Sequence, residues 1–303
     1  MAILLCTFNG QNHLHEQLES FDAQQHRNWQ LWVSDDGSQD QTLSILQQYR
    51  SNSEHGRIKL QAGPQQGFVA NFMSLTCQAD IEADFYAYAD QDDIWEPDKL
   101  KRALAYLQRV APEIPALYCT RTRVVDEAGK HTGFSPRFRK PPSFANALVQ
   151  NVGGGNTMVF NRAARDLLLK VSPGASIVSQ DWWAYIVVSG CGGQVFYDPY
   201  PSVRYRQHGG NLVGANSSWT ARAVRMRMLW QGRFRHWVDL NLTALMRMQA
   251  SLTPDNQTTL EHFRTARQAR GWRGMAGVLG SGVYRQTALG TLSLLLAAAC
   301  GKV

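Results

Sequence analysis

An α/β fold built on a mainly parallel sheet is what the 303-residue sequence predicts. Short apolar runs alternate with segments of helical spacing through the first hundred residues, and polar clusters follow the second and fourth runs. In open α/β sheets ligands sit beyond the carboxyl ends of the strands, so both clusters stand where chemistry is expected.

The elements follow in order. Residues 2–7 form a buried strand, and Asn12–Gln25 a helix with Leu14, Leu18 and Phe21 on one face. Leu31–Ser34 is the second strand, ending in Asp35-Asp36-Gly37-Ser38, before helical spacing over Thr42–Tyr49. Ile58–Leu60 is a third strand, and Phe68–Cys77 a helix entered through Gly67. Phe85–Ala89 is a fourth strand, ending in Asp90-Gln91-Asp92-Asp93; Pro97 suits the first turn of a helix through Leu107. Beyond it we expect a strand over Ala116–Val125, a loop over Asp126–Ser143, a glycine-rich turn before an apolar run in Asn151–Phe160, a helix over Ile177–Val188 and a strand over Val195–Tyr197. Ser218–Trp237 reads as a basic amphipathic helix or helical pair, and Ala288–Cys300 as an apolar helix too short to span a bilayer.

Composition narrows the function classes. Apolar residues make up 44%, enough for a sizeable core. Five scattered cysteines without a Cys-x-x-Cys argue against a zinc ribbon or disulfide framework and for a reducing compartment. No signal peptide and no spanning helix is expected. The net charge of +7 is uneven: residues 1–200 carry 17 Lys/Arg against 21 Asp/Glu, residues 201–303 carry 14 against 3. The second part is suited to an anionic partner such as lipid headgroups, a phosphorylated glycan or nucleic acid.

Five constellations carry chemistry. Asp90 and Asp92, one residue apart at a strand end, can share a hard divalent cation that leaves positions for phosphate oxygens. An Asp-x-Asp arises by chance about once in such a chain, so alone it also fits a solvated turn. Asp35 and Asp36 can accept from a uracil or thymine imide and from sugar hydroxyls, or cap the following helix. Thr7-Phe8-Asn9-Gly10 can hold a nucleobase or make an ordinary turn. Asp181, beside Trp182 and Trp183, suits a general base whose indole neighbours stack on sugar rings, or a cap beside a buried aromatic pair. In Tyr205-Arg206-Gln207-His208, Arg206 suits phosphate and His208 a metal, although a lone histidine is more often structural.

Their order in the chain resembles glycosyltransferase family 2, and Gly67-Phe68, Asn71-Phe72, Asp90-Gln91-Asp92-Asp93-Ile94-Trp95, Gly154-Gly155-Asn156-Thr157, Asp181-Trp182-Trp183 and Tyr205-Arg206-Gln207-His208 resemble its bacterial rhamnosyltransferase branch over roughly residues 2–215. The resemblance implies a GT-A fold over 1–215, a nucleotide-binding half to about 95, an acceptor half from 96, and a helical basic extension over 216–303. It implies Mg²⁺ or Mn²⁺ on Asp92, Asp90 and His208. Thr7, Asn9, Asp35, Asp36, Gly67, Asn71, Asp90, Gln91 and Arg206 would lie on the donor, and Gly154, Gly155, Asn156, Trp182 and Trp183 on the acceptor side. Asp181 would be the base of an inverting transfer from dTDP-L-rhamnose or a UDP-sugar to a glycan or lipid-linked acceptor. Many members have Glu before the base, where this chain has Gln180. The basic tail is expected on an anionic membrane surface or packed over the catalytic domain. A nucleotidyltransferase would carry a basic loop after the first strand, which is absent here. A nucleic-acid-binding module, the reading from the basic tail alone, would be opposed by strand-end acids that repel phosphate.

Overall fold

The computed structural model describes residues 1–54, 56–170, 176–207 and 232–303. Among them one nine-stranded sheet organises the fold. Its first half is β1 (Ala2–Thr7), β2 (Gln30–Asp35), β3 (Ile58–Ala62) and β4 (Phe85–Ala89), parallel and in the order β3-β2-β1-β4. The order continues through β8 (Val159–Asn161), β6 (Ala116–Val125), β9 (Gln194–Arg206) and β5 (Ile94–Trp95), with β7 (His131–Phe134) paired to β6. Beyond β4 the sheet is mixed, because β8 runs antiparallel to both β4 and β6 while β9 runs parallel to β6. That reversal points β4, β6 and β9 the same way as β1 and β2. Thr7, Asp35 and Asp90 therefore open on the same sheet edge as the ends of β6 and β9.

The alternation along β1 shows why the fold has layers. Ile3 and Leu5 face one apolar cluster, with α1 (Leu14–Asp22), α2 (Thr42–Asn52) and α4 (Lys99–Leu107). Leu4 and Cys6 face another, with α3 (Phe68–Cys77), α5 (Phe144–Ala147), α6 (Arg162–Leu168) and α7 (Gln180–Gly190). A strand buried on both faces reads as a continuous apolar run, as β1 does.

The second cluster continues into the C-terminal helices α8 (Arg233–Met246), α9 (Pro254–Ala266), α10 (Gly271–Gly280) and α11 (Ala288–Ala299). Phe234, Leu245, Leu260 and Phe263 share one core with Phe144 and Trp183. Polar contacts add register: Asn256 Nδ2 donates to the Gly190 carbonyl at 2.9 Å, and Asn146 Nδ2 to the Tyr284 carbonyl at 2.9 Å. Among the described residues no helix is long and apolar enough to cross a membrane.

Several elements differ from expectation. The 126–143 segment, read as a loop, contains β7. β5, β8 and α6 were not anticipated, and β9 runs through Pro199 and Pro201 to Arg206. The register explains the last: Thr120 pairs Asp198 and Arg121 pairs Pro201, so Pro199-Tyr200 bulge out where a missing N–H costs no ladder bond. The helix expected from Ile177 begins at Gln180. The basic segment around Arg222 and Arg225 lies outside the described residues up to residue 231.

Candidate active site

At the ends of β1 and β2, carboxylates are held by the backbone. Asp35 accepts from Thr7 Oγ1 at 2.7 Å, Ser38 N at 2.9 Å, Ser38 Oγ at 2.6 Å and Gly37 N at 3.3 Å. Asp36 accepts from Gln65 N at 2.6 Å and Gly67 N at 3.0 Å, tying the 63–67 loop to β2. Gly67 has φ 87°, a conformation that suits glycine, before α3 starts. Asn71, buried on α3, donates to the Ser34 carbonyl at 2.9 Å, and its Oδ1 has no partner among the described residues. Asn9, with φ 49°, receives Gln39 N on its Oδ1 at 2.8 Å. Gln91 makes a reciprocal pair with Phe8, accepting from its N at 2.8 Å and donating to its carbonyl at 2.9 Å. This clamp closes over Gly10, where a Cβ would lie 2.3 Å from Gln91 Oε1.

The loop after β4 and the start of α7 bring a second set of carboxylates together. Burial, then the charges of Asp92 and Asp181, push the Asp90 carboxyl up to about 8. The Cys6 thiol, at the floor of the site, is raised by burial and then by Asp90 and Asp36. Asp36, Asp90, Asp92 and Asp181 are thus linked through shared electrostatic neighbours. Asp181 sits in the first turn of α7, where the helix N-terminus favours an anion. Its Oδ1 accepts from Ser179 Oγ and from Trp182 N at 2.6 Å, and its Oδ2 from Gly155 N at 3.1 Å. Burial raises its pKa against these bonds. A poised carboxylate of this kind can take a proton from an attacking hydroxyl.

Asp93 is the residue that sequence reasoning passed over. It is fully buried, and burial followed by the charges of Asp92 and Asp90 raises it well above the carboxylate range. Its Oδ2 accepts from Asn156 Nδ2 and its Oδ1 from Arg206 N at 3.4 Å. Asn156 follows Gly155, so the turn Gly155–Thr157 holds the acidic loop by one residue and Asp181 by its neighbour. A Cβ on Gly155 would lie 2.9 Å from Gln180 Nε2, so a larger residue there would have to displace the Gln180 amide. Asp93 stood inside the quoted motif, and its apolar flank Ile94-Trp95 was the one signal of burial.

Other expected residues stand elsewhere. Trp182 and Trp183 belong to the apolar core; Trp182 Nε1 donates to the Ala147 carbonyl at 2.7 Å, and neither indole is free to stack on a sugar. Arg206, expected on phosphate, is 1% exposed. Its guanidinium donates to the carbonyls of Asp92 at 3.3 Å and Glu127 at 2.7 Å and to Glu16 Oε2 at 2.7 Å. It braces the acidic loop from behind. His208 lies outside the described residues. Gly154 precedes the turn, packed where a Cβ would meet Asn156 Oδ1 at 2.7 Å.

Among the described residues no group of three or more His, Cys, Asp or Glu side chains is gathered as a metal cluster. The donor chemistry of the acidic loop nevertheless fits a hard divalent cation. Asp90 and Asp92 offer carboxylate oxygens, and Asp90, raised first by desolvation, is raised further by the charges of Asp92 and Asp181, which a cation would offset. Such an ion takes few protein ligands and completes its shell with water and phosphate oxygens.

Known proteins share this fold. The chain is 28% identical over 254 residues to dTDP-rhamnosyl transferase RfbG of Shigella flexneri, covering 80% of this chain and 84% of that one. TarS of S. aureus, solved with UDP-GlcNAc, superposes with a TM-score of 0.53 at 15% identity, covering 93% of this chain and 92% of that one. The mannosyltransferase PcManGT of Pyrobaculum calidifontis, solved with GDP-Man and Mn²⁺, gives 0.50 at 15% identity over 99% and 86%. These structures carry the GT-A type of mixed α/β fold seen here. Residues 2–168, more than half of the chain, match the family model described as Glycosyl transferase family 2. With more than half of its residues matched, the chain belongs to glycosyl transferase family 2.

Proposed function

We propose that the chain is an inverting rhamnosyltransferase that moves L-rhamnose from dTDP-L-rhamnose to a hydroxyl of a growing cell-surface glycan. The acceptor is a lipopolysaccharide core, O-antigen or similar lipid-linked saccharide at the inner face of a bacterial cytoplasmic membrane. The observation that carries the chemistry is Asp181, raised by burial and fixed by three donors within electrostatic reach of Asp90. The donor sugar is supported by the RfbG relative, whose match spans most of both chains.

In the reaction Asp181 takes the acceptor proton as the acceptor oxygen bonds to the anomeric carbon. The bond from that carbon to the diphosphate oxygen breaks on the opposite face, and the nucleoside diphosphate leaves with the electron pair. Asp92 and Asp90, with His208, would hold Mg²⁺ or Mn²⁺, which supplies positive charge for the leaving diphosphate. Gly155 and Ser179 hold the base. Thr7, Asn9 and Gln91 shape the floor on which the nucleotide rests, while Asp35 and Asp36 keep its loops in place.

A panel of nucleotide sugars screened by thermal shift with Mn²⁺ tests the donor, because a ligand that binds only the folded state raises the melting temperature. The largest rise is expected with dTDP-L-rhamnose. A larger rise with a UDP-sugar would replace the donor, and none with any sugar nucleotide would remove the reading.

A further inference from the structure

Among the described residues, five of the six most exposed large apolar side chains lie on two adjacent helices, the sixth being Phe8. Trp272 (73% exposed) and Leu279 (63%) lie on α10, and Leu289 (67%), Leu292 (50%) and Leu296 (54%) on α11. The 289, 292, 296 spacing forms one helical face. Leu294, Ala297 and Ala298 of the same helix turn inward. The two helices pack closely at Gly274, where a Cβ would lie 2.9 Å from the Ala298 carbonyl oxygen. Exposed leucines scattered singly are ordinary; a cluster on one packed helix pair marks an interaction surface.

Cations border this face. Arg270 and Arg273 are exposed at the start of α10, the Arg273 guanidinium 5.6 Å from the Trp272 ring. The connection between the helices holds a second basic segment beside it. Lys140 Nζ donates to the Arg285 carbonyl at 3.3 Å, Gln286 Nε2 to the Lys140 carbonyl at 3.1 Å, and Tyr284 Oη to the Pro141 carbonyl at 2.9 Å. Arg137, Arg139 and Lys140 are exposed there. Among the described residues none of these five cations is in an ion pair.

We propose that the outer faces of α10 and α11, with the 137–140 segment beside them, seat the protein on an anionic lipid surface. The leucines and Trp272 enter the boundary between headgroups and acyl chains, and the basic residues meet lipid phosphates. At 12 residues α11 is about 18 Å long, so it lies in the interface and does not cross it. A second copy is the poorer occupant. A two-fold contact through this face would set the same unpaired cations toward one another, whereas anionic lipid complements them. The binding itself does not depend on the sugar-transfer reading, to which it adds the surface where a lipid-linked acceptor is met.

Flotation of the full chain with phosphatidylcholine vesicles, with and without phosphatidylglycerol, tests this. The chain is expected to float with the anionic vesicles and to be released by high salt. L289S/L292S/L296S should lower the bound fraction by about tenfold or more at any salt. R137A/R139A/R273A should lower it mainly on anionic vesicles. Failure of the wild type to float, or equal flotation of the leucine variant, overturns the proposal. So does light scattering that shows a dimer which the leucine variant converts to monomer. Donor thermal shifts in the absence of vesicles are expected to be the same for both variants and wild type, which separates failure of this proposal from failure of the sugar-transfer reading.

Discussion

Two acidic clusters stand at the same edge of the sheet and are built in opposite ways. Asp35 and Asp36 receive six hydrogen bonds between them, four from backbone amides of their own and the neighbouring loop. Asp93 is fully buried and Asp90 half-buried beside other carboxylates, and both are raised by desolvation and then by that charge. The first cluster fixes the loops that follow β2 and β3. The second stores unbalanced charge where a cation and a leaving diphosphate are proposed to sit. Carboxylates of equal appearance in sequence thus differ in what surrounds them: loop and strand-end donors around Asp35 and Asp36, other carboxylates around Asp90 and Asp93.

The sharpest separation should come from Asp181→Asn. Loss of general-base assistance is expected to lower transfer by ~10²–10⁴ while donor affinity stays near that of the wild type. Near-normal turnover measured with purified donor and acceptor would exclude Asp181 as the base. On the scaffold side, Asp36→Ala leaves the amides of Gln65 and Gly67 without their acceptor. We expect a stability loss of about 3 kcal/mol in urea unfolding. A loss confined to donor binding, with unchanged stability, would move Asp36 from scaffold to ligand.

Asp90→Asn should do the reverse and stabilise the metal-free protein by roughly 1 kcal/mol. The sign follows from linkage. With a folded pKa of about 8 against an ordinary carboxylate value near ~3.9, the folded state binds more protons between those values. Metal-free stability therefore falls as pH rises from about 4 to about 8. Melting temperatures across that range should fall in the wild type and fall less in Asp90→Asn; parallel curves would contradict it. The smallest effect is expected at Trp182→Phe. Losing the indole bond to the Ala147 carbonyl should cost about 1 kcal/mol of stability, with acceptor KM unchanged. A raised acceptor KM at intact stability would return Trp182 to the acceptor side.

Much of the parallel half of the sheet was legible because its strands are buried on both faces and its helices on one, so apolar runs and 3.6-residue spacing both register. Phe68–Cys77, Phe85–Ala89 and Ala116–Val125 stand at the bounds their patterns predict. Two- and three-residue strands such as Ile94–Trp95 and Val159–Asn161 have no period to detect; their partners make them strands. The site was legible as a set of positions and less so as a set of roles. Asp90, Asp92 and Asp181 converge, yet spacing says nothing of which side of a chain a guanidinium or indole takes. Arg206 and Trp182 turned inward for that reason. Asp93 was hidden because its importance lies in being buried, a property of the Asn156 turn that meets it and not of its own neighbours in sequence.

The three-residue turn Gly155–Thr157 gears two parts of the enzyme together. Through Gly155 it grips Asp181, and through Asn156 the back of the acidic loop. Lengthening or reshaping it shifts Asp181 and Asp93 in concert, so neither carboxylate can be moved by evolution or design without displacing the other.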